Sequence, residues 1–191
     1  MSKRLAVILI DRFADWEHGY ATSVLQDYLG GQVRFYTPGA REVASEAGMR
    51  PRADGALEKL TPQAFDGLAV IGSSGWFRDD APDIGSLLRE SVDAGRTVGL
   101  ICGATLAAAR AGLFDARPHT SNDLATLQKV PAYRGAAQYR DVPHAVRDGH
   151  LVSAAGFAPR SFAFELLTDL CPDKATELGF FRKELTAERF A

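Results

Sequence analysis

Four short apolar runs, separated by longer helical or crossover segments, constrain this chain more than any other feature. The runs are Leu5 to Ile10, Gln32 to Tyr36, Leu68 to Ile71 and Thr97 to Ile101, and helical spacing marks Trp16 to Leu29 and Ile84 to Ala94 between them. Strands that alternate with helices pair in parallel, because parallel neighbours are joined by crossover connections. The pattern predicts a three-layer α/β sandwich, a mostly parallel sheet with helices on both faces. At 191 residues the chain is long enough for one sizeable core. One domain is expected over 1–191, with 173–191 as a C-terminal helical extension.

Smaller signals fill in the rest. The segment Val43 to Leu57, with Gly48 and Pro51, suits a small antiparallel excursion better than a helix. Arg147-Asp148-Gly149-His150 lies between Ala145-Val146 and Leu151 to Ala154, and its Asp-Gly step predicts a tight hairpin. Pro159 is placed to open a core helix through Ser161 to Leu170, Pro172 stops it, and Lys174 to Arg189 reads as a charged terminal helix.

Charge and composition narrow the function. With 22 Lys and Arg against 24 Asp and Glu, the net charge of -2 gives no field for gathering nucleic acid or an anionic membrane. The opening apolar run stops at Asp11-Arg12 without a small-residue cleavage site, so it reads as a buried strand rather than a signal peptide. No stretch approaches the ~20 apolar residues of a membrane span. The two cysteines, Cys102 and Cys171, suggest neither a disulfide framework nor a metal knuckle, and a reducing cytoplasm is expected. No metal and no cofactor are expected, and the expected partner is a small-molecule substrate.

Cys102 is the chemically pointed residue. It sits between the β-branched run Thr97 to Ile101 and the small, helix-compatible Gly103 to Ala109, which predicts a nucleophile elbow. The N-terminus of the following helix stabilises a thiolate at such a turn. Ligands of an open parallel sheet bind outside the carboxyl ends of its strands. That rule gathers Asp11 to Glu17, Gly72 to Trp76 and Cys102-Gly103 around one crevice, with Trp16 and Trp76 as candidate apolar walls.

These residues resemble a known family. The early Asp11-x-Phe13 with Glu17, the elbow Gly99-Leu-Ile-Cys102-Gly-Ala-Thr105, the later His119-Thr-Ser-Asn122 and Asp148-Gly149 with Ser153-Ala-Ala-Gly156 are similar to the DJ-1/PfpI family. That family falls within the class I glutamine amidotransferase-like superfamily, and the likeness runs from about Leu5 to Leu170. The resemblance implies a flavodoxin-like sheet, a homodimer and a nucleophilic Cys102 with Glu17 held against it. A protonated Glu17 donating to the sulfur favours the thiolate, whereas an ionised one repels it. The N–H of Gly103 and one from Ser73-Ser74 are placed to form an oxyanion hole. Three departures stand out. Relatives carry Gly-Gly at Ser73-Ser74, the peptidase-like members place a histidine at Gly103, and others place one at Asn122. His119, on the same loop, either turns inward as a general base or is solvated at the surface.

Two functions of different class follow. One is a cysteine-dependent small-molecule hydrolase or lyase, of glyoxalase, amidase or isonitrile-hydratase type, using Cys102 with Glu17. The other is a redox sensor or stress-protective protein in which Cys102 is oxidised without turnover.

Overall fold

A computed structural model describes residues 2–187. The first five β-strands are β1 (Arg4–Ile8), β2 (Gln32–Thr37), β3 (Gly55–Ala56), β4 (Gly67–Val70) and β5 (Thr97–Ile101). The later pair, β6 (Val146–Asp148) and β7 (Leu151–Ala154), completes a seven-stranded sheet in the order β3-β2-β1-β4-β5-β7-β6. Every pairing is parallel except β6 with β7, which forms the hairpin expected at Asp148-Gly149. Gly149 supplies the left-handed residue of that turn, with φ of 57°.

The helices are α1 (Asp15–Ser23), α2 (Gly85–Asp93), α3 (Thr105–Arg110), α4 (Leu124–Gln128), α5 (Pro159–Leu170) and α6 (Ala175–Ala187). Alternating side chains along the strands divide between two cores. Ala6, Ile8, Leu68, Val70, Val98 and Leu100 face Leu88, Leu106 and Phe114, whereas Leu5, Val7, Ala69 and Ile101 face Leu25, Phe162, Leu166 and Leu170. The result is the three-layer sandwich read from the sequence. β4, β5 and β7 are buried along their whole length, as central parallel strands covered on both faces must be.

Two expectations are corrected. The helix expected over Trp16 to Leu29 is regular only to Ser23, and Val24–Tyr28 continues as one π-helical turn. The segment from Val43 to Leu57 is no antiparallel excursion. Its end, β3, pairs in parallel with β2, and Ser45 forms a parallel bridge to Phe13. The reason lies in the open edge of β2. Asp54 takes the Phe35 N–H on its carboxylate and returns its own N–H to the Phe35 carbonyl, so this stretch satisfies an edge instead of pairing with itself. The extension α6 seats Leu178 in the core and sets Phe181 edge-on to Tyr28 at 4.9 Å, while residues 188 and 189 of the expected terminal helix lie outside the described residues.

Candidate active site

β5 ends at Ile101 in extended conformation, and the chain then turns sharply at Cys102, whose φ is 58°. Residues Cys102–Ala104 form a single 3-10 turn before α3 begins at Thr105. A non-glycine residue in the left-handed region costs about 1 kcal/mol or more, so the turn needs holding. Thr105 provides the hold. Its hydroxyl donates to the Cys102 carbonyl at 2.7 Å and lies 2.7 Å from the Ser121 hydroxyl.

Glu17 approaches from the first turn of α1 and is fully buried. The Gly72 N–H donates to its Oε2 at 2.7 Å, while Oε1 has no conventional hydrogen-bond partner. The Cys102 thiol lies on the same side and interacts with the carboxyl electrostatically. A side-chain carbon placed on Gly156 would lie 2.9 Å from the Cys102 sulfur and 3.0 Å from Oε1, so sulfur and oxygen flank one point. A carbon on Gly72 would strike Oε2 at 2.5 Å and the Cys102 Cβ at 2.6 Å. Only glycine fits at either position.

Asn122 closes the third side. Its Nδ2 donates to the sulfur at 3.2 Å, and its Oδ1 accepts the Gly156 N–H at 2.8 Å. Asn122 thus stands at the thiol with a side chain that donates without exchanging a proton.

Burial pushes the Glu17 carboxyl up to about 7, against the pull of the Gly72 N–H. Burial and then the charge of Glu17 push the Cys102 thiol up to about 11, while the Asn122 amide and the Gly103 N–H pull it down. The rise differs from the low-pKa thiolate expected of an exposed elbow. The cause is the enclosure by Glu17 and Gly156, which removes water that would have solvated the anion. Thiol and carboxyl therefore act as one titrating pair.

Other expected site residues are arranged differently. Ser73 is buried and its hydroxyl donates to the Asp11 carbonyl at 2.6 Å while accepting the Gly75 N–H, so it shapes its loop. Ser74 is exposed and opens the short 3-10 helix Ser74–Phe77. The loop does reach the elbow, through the Ser73 carbonyl and the Phe77 ring, which both lie against Gly103. Trp76 is not a crevice wall. Its indole is wholly buried and donates to the Ile71 carbonyl at 2.9 Å, and exposed Phe77 stands at the elbow in its stead.

His119 is neither the inward base nor a solvated surface residue. It is fully buried, stacked on Phe114 at 4.2 Å, with Nδ1 2.8 Å from the Arg117 carbonyl and Nε2 2.7 Å from the Tyr133 hydroxyl. Both nitrogens are committed, and burial holds the ring below its usual pKa. His18, beside Glu17, packs between Phe13 and Phe35 at 5.8 and 5.9 Å. Among the described residues no cluster of three or more His, Cys, Asp or Glu is placed to hold a metal, and no helix is long and apolar enough to cross a membrane.

Sequence reasoning placed Gly72 in a crevice loop but missed it as the donor to Glu17, and it missed Gly156 as part of the site. Gly156 stood in a quoted motif, but a lone glycine announces no contact with a side chain 139 positions away.

A doubly covered parallel sheet with a cysteine on a left-handed strand-to-helix elbow, backed by a buried glutamate, defines the class of α/β proteins with a nucleophile elbow. Comparison with known proteins narrows it. The model of the DJ-1/PfpI family matches residues 3–169, and the chain belongs to that family. It is 38% identical to the DJ-1 superfamily protein Atu0886 of Agrobacterium tumefaciens, with a TM-score of 0.87 over 96% of this chain and 99% of that one. A thiJ/pfpI family protein of Bacillus anthracis is 28% identical, with a TM-score of 0.85 over 98% and 92% of the two chains. Among curated sequences, the uncharacterized protease YoaZ of Bacillus subtilis (strain 168) is 31% identical over 88% of this chain and 84% of its own length.

Proposed function

We propose that the protein is a cysteine-dependent enzyme for small electrophilic molecules, a hydrolase or lyase of glyoxalase, amidase or isonitrile-hydratase type. The observation that carries this reading is the strained Cys102, part exposed and enclosed by Glu17, Asn122 and Gly156. Strain of this kind is kept where the surroundings over-determine it, as at reacting residues.

With an aldehyde, the sulfur forms a bond to the carbonyl carbon and the C=O π pair moves to oxygen. The thiol proton passes to Glu17 and from there to that oxygen, giving a thiohemiacetal with no change in charge. A Glu17 titrating near 7 is suited to take and return this proton. The sequence reading prefers a protonated Glu17 beside a thiolate, and the raised thiol favours the other arrangement of the same proton, a carboxylate acting as base. The Gly103 N–H, which pulls the thiol pKa down, is the donor this reading assigns to the developing oxyanion.

YoaZ bears the name of an uncharacterized protease, but among the described residues no histidine ring is hydrogen-bonded to Cys102, so we favour small substrates over peptides. A groove of about 780 Å³ is lined by Trp16, Phe157 and Phe164, and Trp16 ties it to Gly156 at the thiol, so we assign it the non-reacting part of a substrate. Steady-state assays across glyoxals, amides and isonitriles test the proposal. Turnover of at least one class is expected, with loss of about 10³-fold or more in Cys102→Ser; activity that survives this substitution contradicts it.

The oxidation reading has its own support, since Cys102 is part exposed and Cys171 is only 2% exposed. Graded peroxide followed by mass spectrometry is expected to modify Cys102 first, and equal oxidation of both thiols would remove that support.

A further inference from the structure

Trp16 is 49% exposed on the first turn of α1, an unusual place for so large an apolar ring. Its indole N–H donates to the Gly156 carbonyl at 2.9 Å, across 140 residues of sequence. The same glycine gives its N–H to Asn122 Oδ1 at 2.8 Å, and Asn122 Nδ2 donates to the Cys102 sulfur at 3.2 Å. Both polar groups of Gly156 are therefore engaged, one by each side of the crevice.

That clamp is needed because the loop stands as near the thiol and carboxyl as backbone can, as the missing side chain of Gly156 shows. Phe157, next along the loop, is 69% exposed. We infer that Trp16 is a positioning residue, which acts through Gly156 and Asn122 to hold the amide donor against the Cys102 sulfur. Without the indole N–H the Gly156 carbonyl is free to turn toward water, its N–H swings away from Oδ1, and the amide is no longer aimed at the thiol. One side chain of α1 thus fixes Asn122 while its neighbour, Glu17, faces the thiol directly. The inference deepens the proposed function, but it concerns the ionisation of Cys102 and can be read without turnover.

Trp16→Phe keeps the ring and removes the donor. Alkylation of Cys102 by iodoacetamide, followed by peptide mass against pH, is expected to slow about 3- to 10-fold at fixed pH, its midpoint moving up by roughly half to one unit. Asn122→Ala is expected to move the midpoint at least as far, and the double variant no further than Asn122→Ala alone. Equal profiles for Trp16→Phe and wild type, or single effects that multiply in the double variant, overturn the inference. A second measurement leaves Trp16 in place. In Asn122→Ala the emission of Trp16 is expected to shift to the red above the constant contribution of buried Trp76, and an unshifted spectrum also overturns it. Turnover that survives Cys102→Ser would remove the enzymatic reading alone, since the alkylation profile still decides the role of Trp16.

Discussion

His119 and Tyr133 show at the scale of single residues why a histidine near a reactive thiol need not serve it. The Arg117 carbonyl can only accept, so Nδ1 carries the proton and Nε2 accepts from the Tyr133 hydroxyl. The ring is a buried polar joint between the loop before α4 and the segment around Tyr133. Tyr133→Phe is expected to cost about 1–3 kcal/mol in urea unfolding by leaving a buried nitrogen unpaired. The alkylation profile of Cys102 should not move, and a shifted midpoint would restore a link between His119 and the thiol. Of the site residues, Cys102 and Glu17 were legible in the sequence because strand ends converge and because their types suit the chemistry, while Asn122 came only from the family resemblance. Gly156, the bond from Trp16 and the donation from Gly72 to Glu17 were not, since each is a contact across 50 or more positions that no local pattern encodes.

At the scale of elements, the elbow is where β5 hands over to α3. The handover was legible as a change from β-branched to small residues, but its left-handed backbone was not, because φ at Cys102 is imposed by Thr105, Ser121 and the loops around them. The strain gives a stability comparison that isolates it. Glycine is normally the weaker residue in an ordered segment, yet at φ of 58° it escapes the penalty that alanine pays. Cys102→Gly is expected to be more stable than Cys102→Ala by about 1 kcal/mol in urea melts, and the usual order would argue against stored strain. The misread stretch before β3 follows the same logic in reverse. Its short alternating pieces with Gly48 and Pro51 suggested pairing with one another, and the unsatisfied edge of β2 took Asp54 to Ala56 instead.

At the scale of the whole molecule, the parallel sheet and its two cores were legible because buried central strands are apolar throughout, and their placement brings the ends of β1, β4 and β5 to one crevice. Burying Glu17 there links function to folding. Its carboxyl binds a proton more tightly in the folded chain, about 7 against 4.5, so its contribution to stability is full below pH 4.5 and is lost as pH rises through 7. His18 and His119, lowered by burial, oppose this over part of the same window, so the effect is read against Glu17→Gln. The stability of wild type relative to Glu17→Gln should fall by about 3 kcal/mol between pH 4.5 and 8. A flat difference would mean that Glu17 titrates as it does in the unfolded chain. The central claim is that Glu17 and Cys102 share one proton, and the alkylation rate of Cys102 against pH tests it most directly. In Glu17→Gln the repelling charge is gone, so the thiol midpoint should fall by a unit or more below that of wild type even as turnover is lost. An unchanged or raised midpoint would contradict the shared proton.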